Sequence, residues 1–301
     1  MKLFTFITPD EQTGIGVDNG EGVYNFSSAF DLYQKAKGAK QTLTLQFLQV
    51  LVEMGYCSSQ VVEQIMTESW VQAKLHTLKL PDDMSFDLPI TRPSKIIGLG
   101  RNYQAHAREL NHALPKEPLF FSKAPSTLIP HEGEIVIPNW LDSRVDHEAE
   151  LAVVIGKTGK DIPESETMDY IAGYTILNDV TARAMQKDDT GRNEPWFRSK
   201  SLDTFCPVGP YLVPADAVSD PHALEIRLTV NGDERQAAST ADMIFKLPRI
   251  LSHLSKFMTL NPGDIIATGT PEGVSPVQDG DVIEISITGL GTLRNRVVRQ
   301  T

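Results

Sequence analysis

VDHEAELAVVIG, residues 145–156, reads as a short apolar run with β-branched residues, closed by glycine, which is the pattern of a buried strand. On a strand, residues i and i+2 share a face. Glu148 and Glu150 therefore point the same way, while Ala149 and Leu151 point the other. Two like charges so close repel, and burying either one alone is costly. Either that face is wet, or something positive sits between the carboxylates.

Similar runs surround this one. KIIGLG, YTILND, IRLTV, DIIATGT and DVIEISI are short, β-branched and bounded by Gly, Pro, Asn or Asp. Asn231-Gly232 after IRLTV is a hairpin-turn signal, and Ile283, Ile285 and Ile287 alternate with Glu284 and Ser286 as in a strand with one wet face. A helix is expected in STADMIFKLPRILSHLSKFMTL. Ser239 and Asp242 have cap-like spacing, Ile250, Leu251, Leu254, Phe257 and Met258 form a stripe, and Pro248 marks a break or restart. Strands outnumber helices and do not alternate with them, which argues for a mixed, mostly antiparallel, β-rich α+β assembly.

Residues 1–88 have a different texture and are read as a small N-terminal α/β accessory domain, with 89–301 as the catalytic domain. Helices are expected near QTLTLQFLQVLVEMGY, through Leu43, Phe47, Val50, Leu51 and Met54, and near SSQVVEQIMTESWVQAKL, capped by Ser58 or Ser59. The chain has 301 residues, 41% hydrophobic and 22% charged, with a formal net charge of -11 that disfavours nucleic acid and anionic membranes as partners. Cys57 and Cys206 match no metal or redox spacing, and no signal peptide or membrane span is read, so the expected setting is the cytoplasm.

A third acid, Asp179, ends the apolar run YTILND. Three carboxylates with no His or Cys cluster would suit a hard divalent cation, Mg²⁺ or Mn²⁺, better than calcium, for which no loop supplies repeated ligands. Arg183, Lys200 and Lys123 lie on flanking segments that could balance the excess negative charge and attract a small anionic substrate. In GLGRNYQAHAREL, His106 and Glu109 are spaced i, i+3 on an expected short helix, the arrangement that prepares a general base. Gly98 and Gly100 lack the third glycine and βαβ context of a dinucleotide site. The polar stretch from Asp188 to Arg198 is expected to form a loop near the cleft.

In order, the segments GLGRNYQAHAREL, FFSKAPSTLI, DHEAELAVVIG, GYTILNDVTAR, KSLDTFCPVGP, VNGDERQ, DMIFKLPRIL and GDIIATGTPEGV resemble the fumarylacetoacetate hydrolase family over residues 95–298. The resemblance implies a roll of mixed β-sheets, a homodimer, and Mg²⁺ or Mn²⁺ held by Glu148, Glu150 and Asp179. It further implies a His106–Glu109 acid/base pair and a catalytic, substrate-binding Lys200, with Arg183, Gln186 and Thr270 as further substrate contacts. The implied activity is hydrolysis or lysis of a C–C bond in 2,4-dioxo or β-keto acids through a metal-stabilised enolate, as in acylpyruvate or fumarylpyruvate hydrolases. Oxaloacetate decarboxylation, isomerisation or decarboxylation in homoprotocatechuate-type catabolism, and a non-catalytic oxo-acid sensor are the alternatives.

Overall fold

The structure is a computed structural model that describes residues 1–105 and 114–301. At its centre is a six-stranded sheet in the order Val213–Pro214, Ile171–Asn178, Ala149–Ile155, Ile265–Ala267, Ile96–Gly100 and Leu119–Lys123. Its pairings are antiparallel except that Ile265–Ala267 runs parallel to Ile96–Gly100, so the sheet is mixed. A five-stranded sheet follows the order Asp233–Ser239, Glu225–Val230, Val282–Ile287, Gly291–Arg299 and Glu134–Ile137. The hairpin between its first two strands turns at Asn231 and Gly232, whose φ values of 53° and 85° are those a type I′ turn demands.

Every residue of Ala149–Ile155 and of Ile171–Asn178 is buried, so the central sheet is covered on both faces. Leu151, Val153 and Ile155 pack with Ile285, Leu293 and the helix Leu247–Phe257 in one core. The alternate residues Ala152 and Val154 pack in a second core with Leu3, Ile15, Leu48, Leu51 and Val62 from the N-terminal region. That region is an antiparallel four-stranded sheet, ordered Val23–Asn25, Thr13–Asp18, Lys2–Ile7 and Ser85–Asp87, with helices at Phe26–Ala36, Leu48–Glu53, Ser59–Met66 and Ser69–Gln72. No helix among the described residues is long and apolar enough to cross a membrane.

Several expected element bounds are corrected. The first N-terminal helix of the 41–56 stretch spans only Leu48–Glu53, and Leu43, Phe47 and Met54 are exposed. The Gln34 side chain holds the Leu43 backbone through both its N–H and its carbonyl, which keeps that residue out of a helix. Ser58 does cap Ser59–Met66 by accepting from Val61 N. The Ser239–Asp242 capping box closes a single 3-10 turn, whereas the helix starts at Leu247 with Pro248 in its first turn, where the missing N–H costs nothing. Phe257 is exposed and Met258 lies beyond the helix. The expected 188–198 loop is partly helical, because Arg183–Gly191 and Phe197–Lys200 are both helices.

Candidate metal and oxo-acid site

Glu150 sits on the strand Ala149–Ile155 directly opposite Leu177, and Glu148 precedes that strand. By alternation Glu150 emerges on the face shared with Ala152 and Val154, at the strand end beyond the N-terminal core. Asp179 follows the neighbouring strand, and its N–H donates to the Glu148 carbonyl at 2.9 Å. Asn178 Oδ1 accepts from Glu148 N at 2.9 Å. These links bring one oxygen from each of Glu148, Glu150 and Asp179 within 4.8 Å of one another. All three side chains are buried, so the wet-face reading of the Glu-x-Glu pair fails.

The charge that makes burial tolerable comes from three cations. Lys200 Nζ donates to Glu148 Oε2 at 2.7 Å and to Asp179 Oδ2 at 2.5 Å. Lys123 Nζ donates to Asp179 Oδ1 at 2.7 Å and to the Lys200 carbonyl at 2.5 Å. Arg183 pairs with Glu148 through Nη2, with Asp146 through Nε at 2.7 Å, and with Gln186 Oε1 through Nη1 at 2.6 Å. Burial opposes the charge on Lys200, but Asp179 and Glu148 outweigh it and raise its pKa. Arg183 shows the same contest, resolved the same way by Glu148 and Asp146.

Glu150 is different. Its Oε2 accepts from Gly269 N at 2.6 Å, and among the described residues no lysine or arginine pairs with it. Burial, with the charges of Asp179 and Glu148 beside it, pushes its carboxyl well above the usual carboxylate range, while Lys200 and the Gly269 N–H pull the other way. A hard cation held by oxygens of all three side chains would relieve that deficit, and the donor set fits Mg²⁺ or Mn²⁺.

Thr270 is buried beside this strand, but its hydroxyl donates to the Ala149 carbonyl at 3.0 Å and accepts from Gln236 Nε2 at 2.9 Å. Its proton is therefore committed within the protein. His106 and Glu109 lie outside the described residues. Tyr103, with its hydroxyl buried and without a hydrogen-bond partner among the described residues, lines a cavity of about 540 Å³ together with Leu114, Met243, Ile244 and Glu272. Burial raises the phenol's pKa, as does the charge of Glu150, which places the cavity near the cluster.

Sequence reading left three participants without a role. Asp146 has the parity of Glu148 and Glu150 and is fully buried between Arg144 and Arg183. That i, i+2, i+4 acid pattern was the available signal. His147 and Gln236 offered none, since each sits among charged neighbours in its segment and matches no site pattern of its own.

The chain belongs to the fumarylacetoacetate hydrolase family: the family model for the fumarylacetoacetate (FAA) hydrolase C-terminal region matches residues 95–298. Human mitochondrial oxaloacetate tautomerase FAHD2A is 39% identical over 99% of this chain and 92% of its own length. The bifunctional 4-hydroxyphenylacetate degradation isomerase/decarboxylase of Salmonella dublin is 46% identical over 72% of this chain and 49% of its own. Among solved structures, a fumarylacetoacetate hydrolase from Exiguobacterium antarcticum superposes with a TM-score of 0.81 at 33% identity, covering 100% of both chains. Maleylpyruvate hydrolase from Sphingobium sp. SYK-6, in complex with manganese(II) and pyruvate, gives 0.77 at 33% identity, again over 100% of both. These named relatives are enzymes acting on small organic acids.

Proposed function

We propose that this protein is a Mg²⁺- or Mn²⁺-dependent enzyme that opens a C–C bond in 2,4-dioxo or β-keto acids. The observation that carries this reading is the buried Glu148–Glu150–Asp179 cluster, in which Glu150 lacks a cationic side-chain partner among the described residues. A divalent ion held there would chelate the carboxylate and 2-oxo group of such an acid and, as a Lewis acid, steady the negative charge that develops on cleavage. Lys200 and Arg183 hold the Glu148 carboxylate in place, and Lys123 holds that of Asp179. Gln186, held by Arg183, is read as a substrate contact, and Thr270 contributes through its backbone or its remaining lone pair. His106 and Glu109 are the candidate pair for activating water.

One relative that matches nearly the whole chain is an oxaloacetate tautomerase, which favours a second reading: proton transfer within, or loss of CO₂ from, oxaloacetate, with no water attack. Residues 1–88 are read as an accessory domain that seals the back of the sheet, and the assembly as a homodimer. A panel of oxaloacetate, acylpyruvates and fumarylpyruvate with Mg²⁺ or Mn²⁺, followed by NMR, separates the reactions. Glu150→Gln and Asp179→Asn should lose both Mn²⁺ binding and turnover, and His106→Ala should keep the metal and lose hydrolysis. Full activity of the metal-stripped protein would overturn the proposal, and oxo-acid binding without turnover would favour a sensor.

A further inference from the structure

Gln236 is buried in the middle of a strand whose other residues from 233 to 237 are exposed, and the reason is a bulge. Leu228 pairs with Gln236 while Thr229 pairs with Glu234, so Arg235 is an extra residue in the ladder. Such an insertion re-aims the side chain beside it, and here it turns the amide inward.

Each atom of that amide is fixed by unambiguous partners. Backbone Ala149 N donates to Gln236 Oε1 at 3.0 Å, so that atom is the oxygen. Gln236 Nε2 donates to the Pro271 carbonyl at 2.9 Å and to Thr270 Oγ1 at 2.9 Å. Thr270 completes the ring by donating to the Ala149 carbonyl. His147 Nδ1 lies 3.2 Å from the same Oε1 and must carry the proton there, which leaves Nε2 to accept from Ser275 Oγ at 2.8 Å.

Ala149 is the residue between Glu148 and Glu150, and Gly269, whose N–H holds Glu150, is the residue before Thr270. One glutamine thus ties the strand carrying two acids to the loop that aims one of them. The loop backbone presses onto the bulge itself: a Cβ on Gly273, at φ 92°, would lie 2.0 Å from the Arg235 carbonyl oxygen.

We infer that Gln236 is a positioning residue for the carboxylate cluster, locking Glu148 and Glu150 to the loop of residues 268–277 so that their oxygens converge on one ion. The inference rests on the reading of that cluster as a metal site. Partners of metal-ligating groups typically change metal affinity by 10–100-fold when removed.

The test is Mn²⁺ affinity of the full chain, read from the electron paramagnetic resonance signal of free Mn²⁺. Gln236→Met should raise the Kd about tenfold or more. Leu228→Ala, a cavity opposite it in the same hairpin, should lower the unfolding midpoint while leaving the Kd within about twofold, as expected of a change that touches no ligand. Thr270→Val, which deletes the bridging hydroxyl and keeps the shape, should raise the Kd several-fold, and it decides the matter if Gln236→Met does not fold. A wild-type Kd in a folded Gln236→Met or in Thr270→Val would overturn the inference. Wild-type protein that binds no Mn²⁺ would remove the metal reading and this inference together, whereas normal wild-type binding with unaffected variants removes the inference alone.

Discussion

Replacing Lys123 with methionine probes how the ionic cluster is balanced. Lys123 is 1% exposed and is held by Asp179 Oδ1 and the Lys200 carbonyl. The connected acids Asp146, Glu148, Asp179 and Glu150 stand against Arg144, Arg183, Lys200 and Lys123. Methionine keeps most of the apolar stem and deletes one positive charge, leaving Asp179 with Lys200 as its cationic partner. Removing one member of a buried ion pair costs about 3–5 kcal/mol. At roughly 2–4 °C per kcal/mol for the larger single domains, the unfolding midpoint in EDTA should fall by about 10 °C. A divalent ion restores the missing charge. Saturation at about 100 times the Kd adds about 2.7 kcal/mol to any protein that binds it when folded, and the more negative variant should bind at least as well as wild type. Binding tightened about tenfold by the extra negative charge would add about 1.4 kcal/mol to the variant beyond what wild type gains, so the difference in midpoint between the two should shrink by about a third in excess Mn²⁺, measured by calorimetry in EDTA and in MnCl₂. An unchanged midpoint in EDTA, or a difference as large with Mn²⁺ as without it, would refute the balance argued for this cluster.

His131 supplies a pH test away from the site. Its Nδ1 accepts from Arg294 N at 3.0 Å, and burial lowers its pKa below the ordinary histidine value. A base with a depressed folded pKa stabilises above its unfolded value, near 6.5, and that contribution is lost as pH falls through the folded value. The midpoint should drop as pH falls below about 6.5, and that of His131→Asn, which keeps an acceptor, should drop less; an equal drop would show that His131 is not involved. Leu51→Ala empties a fully buried position in the N-terminal core and should cost about 2–5 kcal/mol. Its Mn²⁺ affinity should remain that of wild type, and a weakened one would mean that this core sets the ligand geometry directly. Glu150→Gln in EDTA should be at least as stable as wild type at neutral pH, because it removes a carboxyl whose ionised form is penalised by burial and by Asp179 and Glu148. A clear loss in denaturant titration would contradict that sign.

Most of the sheet was legible because its strands are β-branched runs ended by turn formers, and Asn231-Gly232 fixed one hairpin outright. Element ends were less legible where side chains from distant segments capture backbone. Gln34 holds Leu43, and Asn102 holds Phe245 through both its amide oxygen and nitrogen, delaying the helix until Leu247. The three acids could be located from their parity and strand-end placement. Their cations were visible only as residues on flanking segments, since which acid each would meet depends on the fold. Gln236 was hidden for a sharper reason: strict alternation cannot register the added Arg235 that turns it inward.

The sheet bearing Glu150 has hydrophobic packing against both its sides, and this sets where the protein has latitude to change. Substitutions along Ala149–Ile155 or Ile171–Asn178 disturb one interior or the other, so new substrate preferences must be written at the rim. There, Gln104, Leu114 and Glu272 are exposed and border open volume, and a side chain can be exchanged without reshaping the frame behind it.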